Sequence, residues 1–137
     1  MKLLCFFFLI NLTAFAGSGV DSSLTREAKV SMNNAVGYLI GTQKENGAWG
    51  PRKGFPAITA LCTTAIASSP IAQSKEDKQA IAKAEEYLLT FVQQDGSIWM
   101  NNEYDYANYT TSVSMVALYI VNRNKHLKII QKARNYI

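Results

Sequence analysis

Ala35-Val36-Gly37-Tyr38-Leu39-Ile40 recurs as Ala84-Glu85-Glu86-Tyr87-Leu88-Leu89 and begins again as Ala133-Arg134-Asn135-Tyr136-Ile137, each time 49 residues further on. Asn46-Gly47 and Asp95-Gly96 keep the same spacing. A looser echo, Thr59-Ala60-Leu61 against Thr111-Ser112-Val113, stands 52 apart, so the intervening loop has grown by three residues. A fixed internal period of this size marks a chain built from one supersecondary unit that buries its apolar face against its neighbours.

Each unit reads as two helices. Leu24, Ala28, Met32, Ala35, Val36, Leu39 and Ile40 fall at three- and four-residue steps, which predicts an amphipathic helix over 23–43 with that stripe buried. Asn46-Gly47 suits left-handed backbone after a helix, and Pro51 and Pro56 punctuate the loop. Residues 57–68 are small or apolar and carry no charge, which predicts a helix buried on most faces. Ser74 to Asp77 forms a helix start, with Ile81, Ala84, Leu88, Phe91 and Val92 as the stripe. Residues 109–121 are again uncharged and predict a second buried helix, and a fifth helix begins near Lys125. Charged helices therefore alternate with uncharged ones, as two layers would require, in an open solenoid or a closed toroid. The expected organisation is all-α, with a first hairpin over about 23–70, a second over 74–123, and the start of a third over 125–137.

Outside the repeat lies an address. Lys2 precedes an apolar run, and Ala14-Phe15-Ala16 supplies small residues at a cleavage site. This is the layout of a secretory signal peptide over 1–16, too short for a spanning helix, so export after cleavage near Ala16 is expected and no transmembrane anchor remains in the mature chain. Thirteen of those sixteen residues are apolar, which inflates the overall 48% hydrophobic content. The content still excludes a disordered protein. The net charge of +4 comes without a Lys/Arg block and argues against a nucleic-acid partner. Cleavage would remove Cys5 and leave Cys62 alone, read as a small hydrophobe.

Tyr38-Leu39-x-x-x-Gln43-x-x-x-Gly47-x-Trp49 resembles the QW motif of squalene–hopene cyclases and related terpene cyclases, from its aromatic position onward. Asn34 and Ala35 stand where that motif has a basic residue and Gly, whereas Lys83-Ala84 and Lys132-Ala133 restore the basic residue. In the second copy, Tyr87 and Gly96 fit, Val92 and Ile98 take the Gln and Trp places, and Gln93 and Trp99 lie one residue further on. The chain is similar to secreted prenyltransferase/squalene-oxidase-repeat proteins over roughly 28–137. The resemblance implies an α/α toroid of helical hairpins, in which the motif residues tie outer helices together and are structural. A toroid of that kind closes with about five or six hairpins, so the chain is expected to be an N-terminal fragment whose partners include later repeats of the full-length protein.

Chemistry is sparse. Asp-x-Asp-Asp and Asp-Asp-x-x-Asp are both absent, so neither an alkene-protonating acid nor a diphosphate–Mg²⁺ site is indicated. His126 and Cys62 have no ligand-like spacing, so no metal is expected, and no phosphate loop or nucleophile elbow suggests a cofactor. His126 itself is expected exposed at a helix start. One cluster remains, Asn101 to Tyr109. In the resembled fold it would face the central cavity, with Tyr104, Tyr106 and Tyr109 lining a pocket for an apolar ligand or a glycan and Asp105 as a candidate acid. The competing reading is a polar loop in which Asp105 or Asn108 caps a helix. Two functions follow: a non-catalytic exported repeat protein that binds a ligand or partner, or the N-terminal part of a terpene-cyclase-like enzyme whose catalytic residues lie in later repeats.

Overall fold

Asp21 starts the first helix by accepting a hydrogen bond from the Ser23 amide at 3.0 Å, and Gln43 stops it by turning extended. In the computed structural model of the chain, which describes residues 21–51, 54–103 and 105–137, this helix is α1, Ser22–Thr42. The proposed export signal, residues 1–16, lies outside the described residues. Pro56 occupies the first turn of α2, Pro56–Ala67, where its fixed φ suits the helix and its missing N–H costs nothing. Ser74 and Asp77 form a reciprocal capping box at α3, Lys75–Leu89, with bonds of 3.1 and 2.8 Å. The fourth helix, α4, spans Ala107–Tyr136 and is interrupted at Asn122, whose backbone is extended and whose Oδ1 accepts from the Lys125 amide at 3.0 Å. Asn122 thus ends one limb, residues 107–121, and caps the next, residues 123–136. The described residues are all-helical, with a lone bridge between Val92 and Ile98.

Helix α2 is the hub. It packs most extensively on α4, then on α3, and lightly on α1. The core has one cluster around Trp49, Ile66, Ile81 and Ala84, and another around Ile98, Leu118 and Ala133. A small third cluster of Ala60, Leu88 and Ala117 joins α2, α3 and α4.

The turns that follow α1 and α3 make the same bonds 49 residues apart. Lys44 N–H donates to Ala48 O at 2.9 Å, and Gln93 N–H to Ser97 O at 2.8 Å. Asn46 Oδ1 receives the Ala48 amide at 3.2 Å, and Asp95 Oδ1 the Ser97 amide at 2.9 Å. The Trp49 amide donates to Thr59 Oγ1 at 3.1 Å, and the Ile98 amide to Thr111 Oγ1 at 2.9 Å. Gly47 and Gly96 have φ of 84° and 94°. A Cβ at Gly47 would lie 2.3 Å from Lys83 O, and one at Gly96 2.6 Å from Lys132 O. Glycine is needed at both for backbone sign and for close approach to the next charged helix.

Four expectations need correction. The predicted α1 stripe docks only through Val36, Leu39 and Ile40, while Leu24, Ala28 and Met32 are exposed, because the 68–72 segment faces the first half of that helix across open clefts and does not close on it. The uncharged helices are not buried on most faces. Ile58, Leu61, Val116 and Tyr119 are exposed, because the other helices cover one side of α2 and α4 only. Tyr38 is 71% exposed although its counterpart Tyr87 is buried. Tyr87 lies beneath the loop that follows α1, with its hydroxyl close to Gly54, and among the described residues no corresponding loop covers Tyr38. His126, expected exposed, is buried because it points back onto Glu85 of α3.

Candidate functional site

Helix α2 and the uncharged first limb of α4 bring their N-termini side by side, and a cleft of about 270 Å³ opens between them. Pro51, Phe55 and Ile58 form one wall, and Asp105, Tyr106 and Tyr109 the other. Tyr106 and Tyr109 are 77% and 52% exposed, so their rings stand free at the mouth. Tyr104 lies outside the described residues. The residue before α4 is Tyr106, which makes no side-chain cap, so neither Asp105 nor Asn108 plays that part.

Both Asp105 oxygens are engaged. Oδ2 accepts from the Met100 amide at 2.8 Å, and Oδ1 accepts a short bond from the Thr110 hydroxyl. The carboxylate therefore fastens the 100–105 loop to the first turn of α4. Below it, burial raises the Tyr87 phenol above its ordinary range, and the nearby Asp105 charge raises it further. Tyr87 also meets Phe91 edge-to-face at 4.9 Å.

Gln43 and Trp49 of the QW-like motif do not line this cleft. Gln43 Nε2 donates to Gly47 O at 3.0 Å and to Ala80 O at 2.8 Å, tying the turn to α3. Trp49 Nε1 donates to Leu39 O at 2.8 Å, and its ring packs where α1, α2 and α3 converge. In the second turn Ile98 takes the corresponding buried place. Trp99 is only half-buried, and Gln93 bonds locally to Phe91 O and Trp99 O.

A buried polar cluster escaped the sequence reading. Glu85 Oε1 makes a short ion pair with Lys125 Nζ and lies 3.2 Å from His126 Nε2. Glu85 and His126 are both buried, so the cluster pins α3 to the second limb of α4. Its signal was available: Glu85 falls four residues after Ile81 and three before Leu88, on the apolar stripe, where a carboxylate needs a buried partner. Cys62 packs half-buried against the Trp49 cluster, and burial raises its thiol above the usual range.

Among the described residues, no three His, Cys, Asp or Glu side chains converge as a metal site. No described helix is long and apolar enough to cross a membrane. Comparison with protein-family models, with curated proteins and with solved structures finds no match to this chain.

Proposed function

We propose that the chain is a non-catalytic helical-hairpin repeat module of the QW type, exported after loss of residues 1–16, that binds an apolar ligand between the N-termini of its uncharged helices. The carrying observation is the cleft between α2 and α4, where Ile58, Tyr106 and Tyr109 are exposed while the one carboxylate is held by two donors. Free rings and aliphatic groups at a concave mouth favour apolar or stacking contacts. The recurrence of three hydrogen bonds in the two turns supports the repeat reading, and the apolar run before Ala16 supports export.

Saturation-transfer NMR with farnesol, an isoprenoid alcohol, and separately with cellotetraose, an oligosaccharide, tests the binding. Transfer to farnesol is expected, with loss in Tyr109→Ser and Ile58→Ser, both surface changes. Transfer to the oligosaccharide alone would replace the apolar ligand by a glycan, and transfer to neither would refute a binding cleft.

A further inference from the structure

We propose that the groove between the two limbs of α4 is a docking site for a helix of a partner protein, uncharged along its length and bearing a carboxylate in the turn that follows it. The groove holds about 410 Å³. Val116, Tyr119, Leu127 and Ile130 make its apolar floor, Arg123 and Arg134 border it, and no acidic residue lines it. Arg123 is already placed, stacked 5.5 Å over the Tyr119 ring.

What packs beside such a groove is visible elsewhere in the molecule. Ala67, Lys78, Ile81 and Glu85, on α2 and α3, line another cleft. Each stands 52 or 49 residues before a residue of the open groove: Ala67 before Tyr119, Lys78 before Leu127, Ile81 before Ile130, and Glu85 before Arg134. The end of an uncharged helix closes one side of this first cleft, with Val121 packed against the Trp49, Ile66, Ile81 and Ala84 cluster. Ile120 and Val121, at the end of the first limb of α4, form its remaining wall, and Lys125 and His126 follow and meet Glu85. The open groove repeats those sequence positions with the charge inverted, since Arg134 stands 49 residues after Glu85. An uncharged helix is therefore its natural occupant, and the residues after that helix must be acidic rather than basic.

A second copy of this chain does not meet that requirement. Its own α4 limb is followed by Lys125 and His126, which would face Arg134, and α2 is followed by no acid before Glu76. Like charges at a desolvated contact are strongly disfavoured.

The test uses the full chain and fluorescein-labelled peptides with the sequence of residues 107–126, read by anisotropy. A peptide carrying Lys125→Glu and His126→Glu is expected to bind saturably, at least about tenfold tighter than the unaltered peptide. The surface variant Arg134→Glu of the full chain, its fold checked by circular dichroism, is expected to reverse that order. Absence of binding by both peptides would overturn the proposal, as would a preference unchanged by Arg134→Glu. Concentration-dependent dimers in sedimentation velocity that block peptide binding would assign the groove to a second copy and overturn it equally. The proposal rests on the recurrence of the two turns and not on the ligand cleft, so failure of farnesol binding leaves it standing and failure here leaves the ligand cleft standing.

Discussion

Truncation of Trp49 separates a side chain that knits helices together from one that fills a turn. The ring is 4% exposed and packs with Ile66 of α2, Ile81 and Ala84 of α3, and Leu39 and Ile40 of α1. A buried Trp removes roughly 150–250 Å² from water, which at about 25 cal/mol per Å² gives ~4–6 kcal/mol as an upper bound. Measured Trp→Ala losses of about 3–5 kcal/mol agree with it. The Nε1–H bond to Leu39 O adds about 1 kcal/mol. Leu39 O is not orphaned by its loss, because Thr42 Oγ1 also donates to it at 3.0 Å. Trp49→Ala is therefore expected to lose about 3–5 kcal/mol, and Trp49→Phe, which keeps most of the ring area, about 1–2 kcal/mol. Urea titration followed by circular dichroism at 222 nm measures both, and avoids a fluorescence signal that the substitutions themselves remove. Since domains of this size hold only about 5–15 kcal/mol, the Ala variant should shift the midpoint strongly. A loss below about 1 kcal/mol, or a Phe variant as damaged as the Ala variant, would refute the claim that this ring joins three helices.

Two further outcomes follow from the backbone and the titrating groups. Gly96→Ala should cost more than about 2 kcal/mol, since positive φ alone costs about 1–2 kcal/mol and the new Cβ would strike Lys132 O. Gly37→Ala, in open space on α1, should gain about 0.5–1 kcal/mol, and thermal melts of the pair check both signs. The Tyr87 phenol is raised above its ordinary value of about 10 in the folded chain, so the fold keeps a proton that the unfolded chain releases. Stability from this group is intact below pH 10 and is lost as pH climbs above it. Urea midpoints should fall less between pH 9 and 11 in Tyr87→Phe than in the wild type, and equal falls would remove Tyr87 from the account.

The local signals in the sequence translated well because their causes are local. Ser74 and Asp77 close a capping box wherever the helix lies, and Pro56 sets the first turn of α2 without help from a neighbour. Gly47 and Gly96 were legible as turn residues, although the carbonyls that forbid a Cβ there belong to helices far along the chain. Periodicity, by contrast, names a face and not its partner. Leu24 and Met32 share a stripe with Leu39, yet only the C-terminal end of that stripe meets another helix. Spacing likewise placed Trp99 beside the motif position, but backbone register decides burial. The Ile98 amide, and not that of Trp99, bonds to Thr111. The tyrosines of the 101–109 loop were legible as a cluster, whereas the loss of Asp105 to Met100 and Thr110 depends on a loop path that composition does not encode.

The recurring tyrosine makes the same point quantitatively. Tyr38 and Tyr87 occupy the same place in segments 49 residues apart, each three residues after an Ala and just before a Leu. Their exposures are 71% and 9%. The difference arises because the loop after α1 brings Gly54 within reach of the Tyr87 hydroxyl, while among the described residues no loop is laid across Tyr38. Burial of this residue is thus a property of the preceding hairpin and not of its own. The same logic assigns the partner of position 85 or 134. Glu85 is paired with Lys125 and lies beside His126 only because the second limb of α4 follows it, and Arg134 carries the opposite charge at the position 49 residues on. If the groove takes the proposed helix, this single inverted charge is what would set its choice of neighbour apart from that of the first cleft.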